Sequence, residues 1–340
     1  MTLPTRQEDY SVLLPLRDAH ATLGPALESV LHQTTPAAEL ICVDDGSTDG
    51  SSELLDRYRR RHARIRVLRR EGPEGDLVAA LELGRRAVQT ELVLRMDADD
   101  VAHPRRAERV HALFADPRVA LAGCLVRSFP SVLVRPGRRR YDAWLNGLRR
   151  HEDMARERFV ECPLAHPSAS FRARAVEAVG GYRSFAGPED YDLWLRLLAA
   201  GWRFGKAPRV LLGWREGPAR LQRQDSRYGP AGMARARARA LGVLLGKRPI
   251  QILGAGSAGK RLARELIREG ARVTGFLDLD PRKLGRAPHG VPVLPYREEL
   301  ARAPEALIVS CVNAWGARSE VRALLNASGR AEGCDFFLGG

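Results

Sequence analysis

Short apolar runs alternate with helical patterns between residues 10 and 100, and this alternation constrains the fold more than any other feature. Buried strands that are each followed by an amphipathic helix predict a parallel sheet covered by helices. The predicted strands are Tyr10–Leu16, Glu39–Val43, Ile65–Leu68 and Leu92–Met96. The predicted helices are Thr22–Gln33, a helix that is capped by Asp49 and ends near Arg61, and Leu77–Val88.

A second α/β pattern begins after Pro249. The strand Ile250–Leu253 is followed by a glycine turn, the helix Ala258–Glu269 and the strand Arg272–Leu277. A chain of 340 residues is long enough for two such domains.

The segment between the two patterns is strongly basic. Trp214–Arg248 holds nine basic residues against two acidic ones, so its net charge of +7 is half of the chain's +14. We therefore predict a first domain over residues 1–225, a basic linker over 226–248 and a smaller α/β domain over 249–340.

The net charge of +14 predicts an anionic partner, such as nucleic acid, an acidic membrane surface or a phosphorylated ligand. Nucleic acid is disfavoured because the basic residues are dispersed and aromatic residues make up only 6% of the chain. The five cysteines are scattered without a C-x-x-C pair, which predicts a reducing compartment. No signal sequence or long apolar run is present, so we expect a cytoplasmic protein.

Two acidic clusters, Asp44–Asp45 and Asp97–Asp100, each follow an apolar strand. The carboxyl ends of parallel strands meet at one edge of a sheet, where ligands bind. Carboxylates that are brought together repel one another unless a cation lies among them, and Mg²⁺ or Mn²⁺ prefers such oxygen ligands. Either cluster alone is also typical of an ordinary turn or helix cap, but two clusters at one edge favour a metal site.

A further acidic pair, Glu189–Asp190, stands at the start of a predicted helix that ends near Gly201. A carboxylate in this position can act as a general base or as a helix cap. The local sequence leaves both roles open.

These motifs together resemble the family 2 glycosyltransferases of the A-type, nucleotide-sugar-dependent fold. The order and spacing agree from about residue 10 to 225, over the segments Ser11–Arg17, Val43–Asp49, Arg95–Asp100, Leu164–Pro167 and Glu189–Arg196. The resemblance implies a Rossmann-like α/β domain that transfers a sugar from a nucleoside diphosphate sugar to a glycan or lipid-linked acceptor, with inversion of configuration. It also implies polysaccharide or glycan assembly.

The resemblance implies a role for each matching residue on the donor side. Pro15 and Arg17 would lie near the nucleotide base, and Asp45 would bind the base. The ribose and the Mn²⁺ or Mg²⁺ ion would be held by Asp97 and Asp99, with Asp100 beside them.

On the acceptor side, Asp190 would be the catalytic base, Glu189 would contact substrate and His166 would line the acceptor site. Arg215 and Arg220 stand where relatives often place a basic loop that contacts the diphosphate. The chain departs from the family where relatives have Asn in the third helix, because Glu82 is found there.

The second domain carries Gly254-Ala255-Gly256-Ser257-Ala258-Gly259 between a strand and a helix, and Asp278 ends the next strand. Gly254, Gly256, Gly259 and Asp278 therefore predict a Rossmann-like site for a nucleotide or nucleotide-sugar. This block also resembles the small domain that precedes the catalytic part of some bacterial sugar acetyltransferases. A scaffold that binds nothing is the alternative.

Three other functions compete with glycosyl transfer. An NAD(P)-dependent oxidoreductase acting through the second domain lacks a hydride-transfer acid, and a basic nucleic-acid-binding protein is suggested by charge alone. A nucleotidyltransferase would need a Gly-rich loop after the first strand, where this chain has Leu14–Arg17. A peripheral contact between the basic linker and an anionic membrane at the inner face is a further expectation.

Overall fold

Eight strands form the larger of two sheets in the structure, a computed structural model that describes residues 10–70, 75–217, 220, 225–312 and 316–339. The spatial order is β3-β2-β1-β4-β7-β6-β8-β5, with β1 (Tyr10–Leu16), β2 (Glu39–Asp44), β3 (Ile65–Arg69), β4 (Leu92–Arg95), β5 (Val101–Ala102), β6 (Val119–Phe129), β7 (Ser170–Arg172) and β8 (Arg203–Arg215). Strands β1 to β4 are mutually parallel where they pair, whereas β7 runs antiparallel to β4 and β6. The predicted parallel sheet is therefore confirmed for its first four strands.

The helices that connect β1, β2, β3 and β4 lie where the apolar periodicity predicts them. Asp76 caps the third helix by accepting hydrogen bonds from the backbone N–H groups of Val78 and Ala79. The α-helices are α1 (His20–Leu31), α2 (Ser51–Arg61), α3 (Leu77–Ala87), α4 (Arg106–His111), α5 (Pro136–Gly147), α6 (His151–Arg156), α7 (Ala173–Ala178) and α8 (Glu189–Ala199).

A second sheet of five parallel strands follows, in the order β11-β10-β9-β12-β13. Its strands are β9 (Ile250–Leu253), β10 (Val273–Asp278), β11 (Val293–Pro295), β12 (Leu307–Ser310) and β13 (Phe336–Leu338). The helices of this region are α9 (Pro230–Leu245), α10 (Ser257–Arg268), α11 (Tyr296–Arg302) and α12 (Ala317–Ala327). The predicted α/β class, with a second and smaller α/β domain, is confirmed.

The chain divides into two units whose boundaries differ from the predicted domains. Unit 1 comprises residues 1–154, 163–184 and 196–220, and unit 2 comprises 155–162, 185–195 and 221–340. Segments 155–162 and 185–195, which were predicted for the first domain, belong to unit 2, and unit 2 resumes at residue 221 instead of 226. The reason is packing, because Phe159, Tyr191 and Leu195 are buried in the same apolar core as Ile252 and Phe276.

The predicted basic linker is largely the helix α9, and three of its arginines contact other parts of unit 2. Arg237 is buried and donates a hydrogen bond to the backbone oxygen of Val160 at 2.6 Å. Arg235 donates to the backbone oxygen of Ala186 at 2.9 Å, and the Arg239 guanidinium lies 5.4 Å from the centre of the Phe185 ring. These three arginines are therefore engaged within unit 2, and the membrane contact of the linker stays a prediction.

Candidate active site

Three carboxylates lie together directly after β4. Asp97, Asp99 and Asp100 each place an oxygen within 4.8 Å of the others. The loop begins beside β1, because the N–H of Met96 donates to the backbone oxygen of Leu13 at 3.0 Å. The acidic cluster that the sequence predicts at the carboxyl edge of the sheet is thus present.

The negative charge of the cluster is only partly compensated by the protein, in which the buried Arg95 pairs with Asp97. Burial, and then the charge of Asp97, raises the pKa of Asp99 to about 6. Burial also raises the pKa of Asp100 well above its ordinary value, with Asp97 and Asp99 adding to the effect. Among the described residues, the buried Oδ2 of Asp100 has no hydrogen-bond partner. These oxygens fit a hard divalent cation such as Mn²⁺ or Mg²⁺.

Arg215, one of the two predicted diphosphate-binding residues, contacts this cluster. Its Nε donates to the backbone oxygen of Asp99 at 2.6 Å, and its backbone N–H donates to Oδ1 of Asp100 at 2.7 Å. The guanidinium lies 4.5 Å from the centre of the Phe129 ring. Arg215 therefore links the end of β8 to the loop that carries the three carboxylates.

Arg220 is close enough for its charge to act on Asp99 and Asp100, where it opposes the rise in pKa. It also pairs with Glu216 at 2.6 Å and lies 4.7 Å from the centre of the Trp214 ring. The two arginines that the sequence singled out thus both lie beside the acidic loop.

Arg138 of α5 is a further cation near Arg220, and the sequence did not single it out. Its guanidinium lies 3.8 Å from the centre of the Trp214 ring, and its Nε is 3.0 Å from Asp142 and 3.3 Å from Glu216. The i,i+4 spacing of Arg138 and Asp142 was the available signal, but it is common on exposed helices. Burial here lowers the pKa of Arg138.

The second acidic cluster divides into a turn residue and a side chain at the sheet edge. Asp44 accepts a hydrogen bond from the backbone N–H of Ser47 at 3.0 Å and so shapes the turn. Asp45 is buried and pairs with Nε of Arg70 at 2.5 Å. Arg70 was not predicted, since it follows β3 and no local motif marks it.

The two remaining donor-side residues differ in exposure. Pro15 is buried within β1, opposite Val43 of β2. Arg17 lies just beyond the strand, is exposed and forms an ion pair with Asp18 at 3.7 Å. Both are at the same carboxyl edge as Asp45, whose N–H donates to the backbone oxygen of Leu16 at 2.9 Å.

His166 is buried in a short 3-10 turn and its Nε2 lies 2.9 Å from the hydroxyl of Tyr182. The backbone N–H of Tyr182 donates to Glu82 at 3.2 Å, and Glu82 also pairs with Arg85 at 2.6 Å. Glu82, which stands where the family resemblance implies an Asn, is thus engaged in contacts within unit 1.

The Glu189–Asp190 pair belongs to unit 2, and its two carboxylates have different surroundings. Glu189 is buried and accepts a hydrogen bond of 2.7 Å from the hydroxyl of Tyr228. Asp190 is half-buried, and its Oδ1 accepts the N–H of Tyr191 at 2.7 Å while the Sγ of Cys162 lies 4.0 Å from Oδ2. Asp190 is therefore the more accessible of the two.

The glycine motif of unit 2 forms the expected tight loop between β9 and α10. Gly254 has a φ of +104°, and a Cβ on Gly259 would lie 2.0 Å from the Gly254 oxygen, so both positions require glycine. Asp278 already accepts hydrogen bonds from the N–H of Ala255 at 2.8 Å and from Nζ of Lys283 at 3.0 Å. The carboxylate that the sequence assigned to a ribose hydroxyl is therefore already hydrogen-bonded within the protein.

Residues 11–180, half of the chain, match the family model for glycosyl transferase family 2. The chain belongs to this family. The predicted enzyme class, a glycosyltransferase, is thereby confirmed. The acidic loop, Asp45 and His166 of this glycosyltransferase all lie inside the matched region.

Two relatives and one solved structure illustrate the similarity. The amylovoran biosynthesis glycosyltransferase AmsE of Erwinia amylovora is 30% identical over 212 residues, which are 60% of this chain and 74% of AmsE. A UDP-Gal:alpha-D-GlcNAc-diphosphoundecaprenol beta-1,3-galactosyltransferase of Escherichia coli is 28% identical over 60% of this chain and 72% of its own. The fold is similar to that of the mannosyltransferase PcManGT of Pyrobaculum calidifontis, solved with GDP-Man and Mn²⁺, with a TM-score of 0.51. The superposition covers 94% of this chain and 80% of that chain, at 20% sequence identity.

Proposed function

We propose that this glycosyltransferase moves a sugar from a nucleoside diphosphate sugar to a hydroxyl of a lipid-linked glycan acceptor during polysaccharide assembly, with inversion. The carboxylate cluster of Asp97, Asp99 and Asp100 is the observation that carries the proposal. The names of AmsE and of the Escherichia coli galactosyltransferase support the pathway and the lipid-linked acceptor.

The donor binds at the carboxyl edge of the larger sheet. Asp45 binds the nucleotide base, with Pro15 and Arg17 beside it, and Asp97 holds the ribose. Bound Mn²⁺ or Mg²⁺ would stabilise the negative charge that develops on the leaving diphosphate. Arg215 and Arg220 supply further positive charge to the diphosphate.

The acceptor hydroxyl loses its proton to Asp190 as its oxygen attacks the anomeric carbon opposite the leaving group. Asp190 lies in the first turn of α8, where the positive helix end favours the carboxylate that a base requires. His166 lines the acceptor side. The burial of Glu189 against Tyr228 supports a role in holding the helix start rather than in contacting substrate.

A second ligand, a nucleotide or nucleotide-sugar, binds unit 2 at Gly254, Gly256 and Gly259 in this proposal. The N-terminus of α10 supports it, because no side chain caps that helix end and its N–H groups are suited to a phosphate. Asp278 holds the glycine loop by accepting a hydrogen bond from the backbone N–H of Ala255.

One experiment tests the central proposal. The full chain is incubated with UDP-, GDP- and dTDP-sugars, with Mn²⁺, Mg²⁺ or chelator, and its melting temperature is measured, because a bound ligand stabilises the folded state. The stabilising donor is then supplied with a polyprenyl diphosphate sugar, and the anomeric configuration of the product is determined. We expect metal-dependent stabilisation by one donor and an inverted product. Retention of configuration, or stabilisation that ignores the metal, contradicts the proposal.

A further inference from the structure

An apolar tip stands out on the surface of unit 1 between β6 and α5. Val132 is 87% exposed, which makes it the most exposed large apolar side chain among the described residues, and its neighbour Leu133 is 45% exposed. Single exposed apolar side chains are ordinary, but an adjacent pair at the end of a turn removes more apolar surface from water when it is covered. Both belong to the 3-10 turn Ser131–Leu133.

Exposed positive charge follows this tip along the chain. Arg135, Arg139 and Arg140 are exposed, and no acidic residue occurs between 131 and 141. The nearest acid along the helix, Asp142, faces the inner cation Arg138 at 3.0 Å. We call residues 131–140 the basic loop, and its outward charge is positive.

The basic loop adjoins the acidic cluster of the proposed donor site. Phe129 ends β6, its ring lies under the Arg215 guanidinium, and its backbone oxygen accepts the N–H of Glu216 at 2.6 Å. Val132 is three residues further along the chain, so its Cα is at most about 11 Å from that of Phe129. Whatever the tip binds is brought within reach of the donor site.

We propose that the basic loop is a membrane-docking surface, which places Val132 and Leu133 at the boundary between headgroups and acyl chains of an anionic bilayer. The arginines then meet the lipid phosphates, as in interfacial anchors that combine apolar and basic residues. A bilayer fits better than nucleic acid because the tip is apolar and offers no exposed aromatic side chain for stacking between residues 131 and 140. Docking in this way would bring a lipid-linked acceptor in the bilayer to the neighbouring donor site. This statement about the acceptor rests on the proposed function.

The test uses the full chain and sedimentation with phosphatidylcholine vesicles that contain or lack phosphatidylglycerol. The apolar variant is Val132→Ser/Leu133→Ser and the charge variant is Arg135→Gln/Arg139→Gln/Arg140→Gln. Matched controls are Val243→Ser/Leu244→Ser, an exposed apolar pair on α9, and Arg57→Gln/Arg60→Gln/Arg61→Gln, three exposed arginines of α2. Thermal unfolding verifies that each variant is folded.

We expect the wild type to bind anionic vesicles in a salt-sensitive manner, and affinity to fall about fivefold for each arginine removed. The apolar variant should also bind more weakly, while both controls bind like the wild type. Transfer to a short soluble acceptor should not change in any variant, so failure of the docking surface can be told from failure of the proposed chemistry. Equal sedimentation of all proteins, an equal loss in the controls, or preferential binding to single-stranded RNA would overturn the inference.

Discussion

The hydroxyl of Tyr228 donates a 2.7 Å hydrogen bond to the carboxylate of Glu189, one residue before the proposed base Asp190. Burial, and then the charge of Glu189, raises the pKa of Tyr228, so this hydroxyl stays a donor. The two residues are 39 positions apart in the sequence, and the bond lies within unit 2.

We expect Tyr228→Phe to lower the free energy of unfolding by about 1–3 kcal/mol, because a buried carboxylate loses a donor. The turnover number should fall while the KM for the donor stays unchanged, since the start of the base-bearing helix is less well held. Tyr58→Phe is the matched control: Tyr58 donates to the exposed Glu28 at 2.8 Å, and its loss should cost much less. Equal effects of the two changes in denaturant titration would show that the buried bond has no special role.

The metal prediction concerns Asp99. Asp99→Ala should abolish transfer and remove the stabilisation by Mn²⁺, because it deletes one of the three clustered carboxylates proposed to hold the metal. The unfolding temperature without metal should not fall, since a source of carboxylate repulsion is also removed. Activity assays and melting curves measured with and without Mn²⁺ check both points. Full activity of the variant, or of the wild type in excess chelator, would exclude this assignment.

Asp190→Asn separates a general base from a helix cap. The amide keeps the shape and caps about as well, but it cannot accept the acceptor proton. We expect transfer to fall by roughly 10²–10⁴-fold, as is typical when a general base is lost, with donor affinity retained. Turnover and nucleotide affinity are to be measured together. Near-normal turnover identifies Asp190 as a cap only, and lost affinity places it in the donor site.

The buried His111 predicts a contribution to acid sensitivity. Burial, and then the charge of Arg106, lowers the pKa of His111 to about 3. The unfolded chain binds a proton at this residue below about pH 6.5, whereas the folded chain does not. The free energy of unfolding should therefore fall as the pH decreases from about 6.5 to about 3, by up to about 1.4 kcal/mol per unit from this residue.

His111→Phe, which keeps a ring beside Tyr10, should remove that part of the slope, and replacing the exposed His32 by Phe should leave the slope unchanged. Denaturant titrations at several pH values between 4 and 7 provide the measurement. Parallel pH profiles for wild type and His111→Phe would contradict the expectation.

The proposed second ligand can be tested at Gly256. A Cβ at this position meets no atom within 4 Å, so Gly256→Asp introduces no clash and caps α10. The added carboxylate should repel a phosphate, whereas Gly256→Asn caps without charge and should repel it less. In the Asp99→Ala background, calorimetry with UDP and GDP should detect binding that Gly256→Asp removes. Absence of binding in that background would leave unit 2 as a scaffold.

Much of the first unit could be predicted because its signals are local. Apolar runs indicate strands β1 to β4, and the two acidic clusters directly follow β2 and β4 in the sequence. Arg70 and Arg138 could not be predicted as site residues, because the contacts of Arg70 with Asp45 and of Arg138 with Glu216 arise only through long-range packing. Asp45 and Arg70 are 25 positions apart in the sequence. Arg138 is also far in the sequence from its contacts Glu216 and Trp214.

The sequence by itself determined the α/β class, the family, the acidic cluster at the sheet edge and the glycine loop of the second sheet. These features depend on short-range periodicity and on motifs whose residues are neighbours in the chain. Only the tertiary structure decided that the start of α8 belongs to unit 2 and that the arginines of α9 contact unit 2 itself. It also decided that Val132 and Leu133 are exposed. Burial and ion pairing depend on which distant segments meet, and composition carries no information about that.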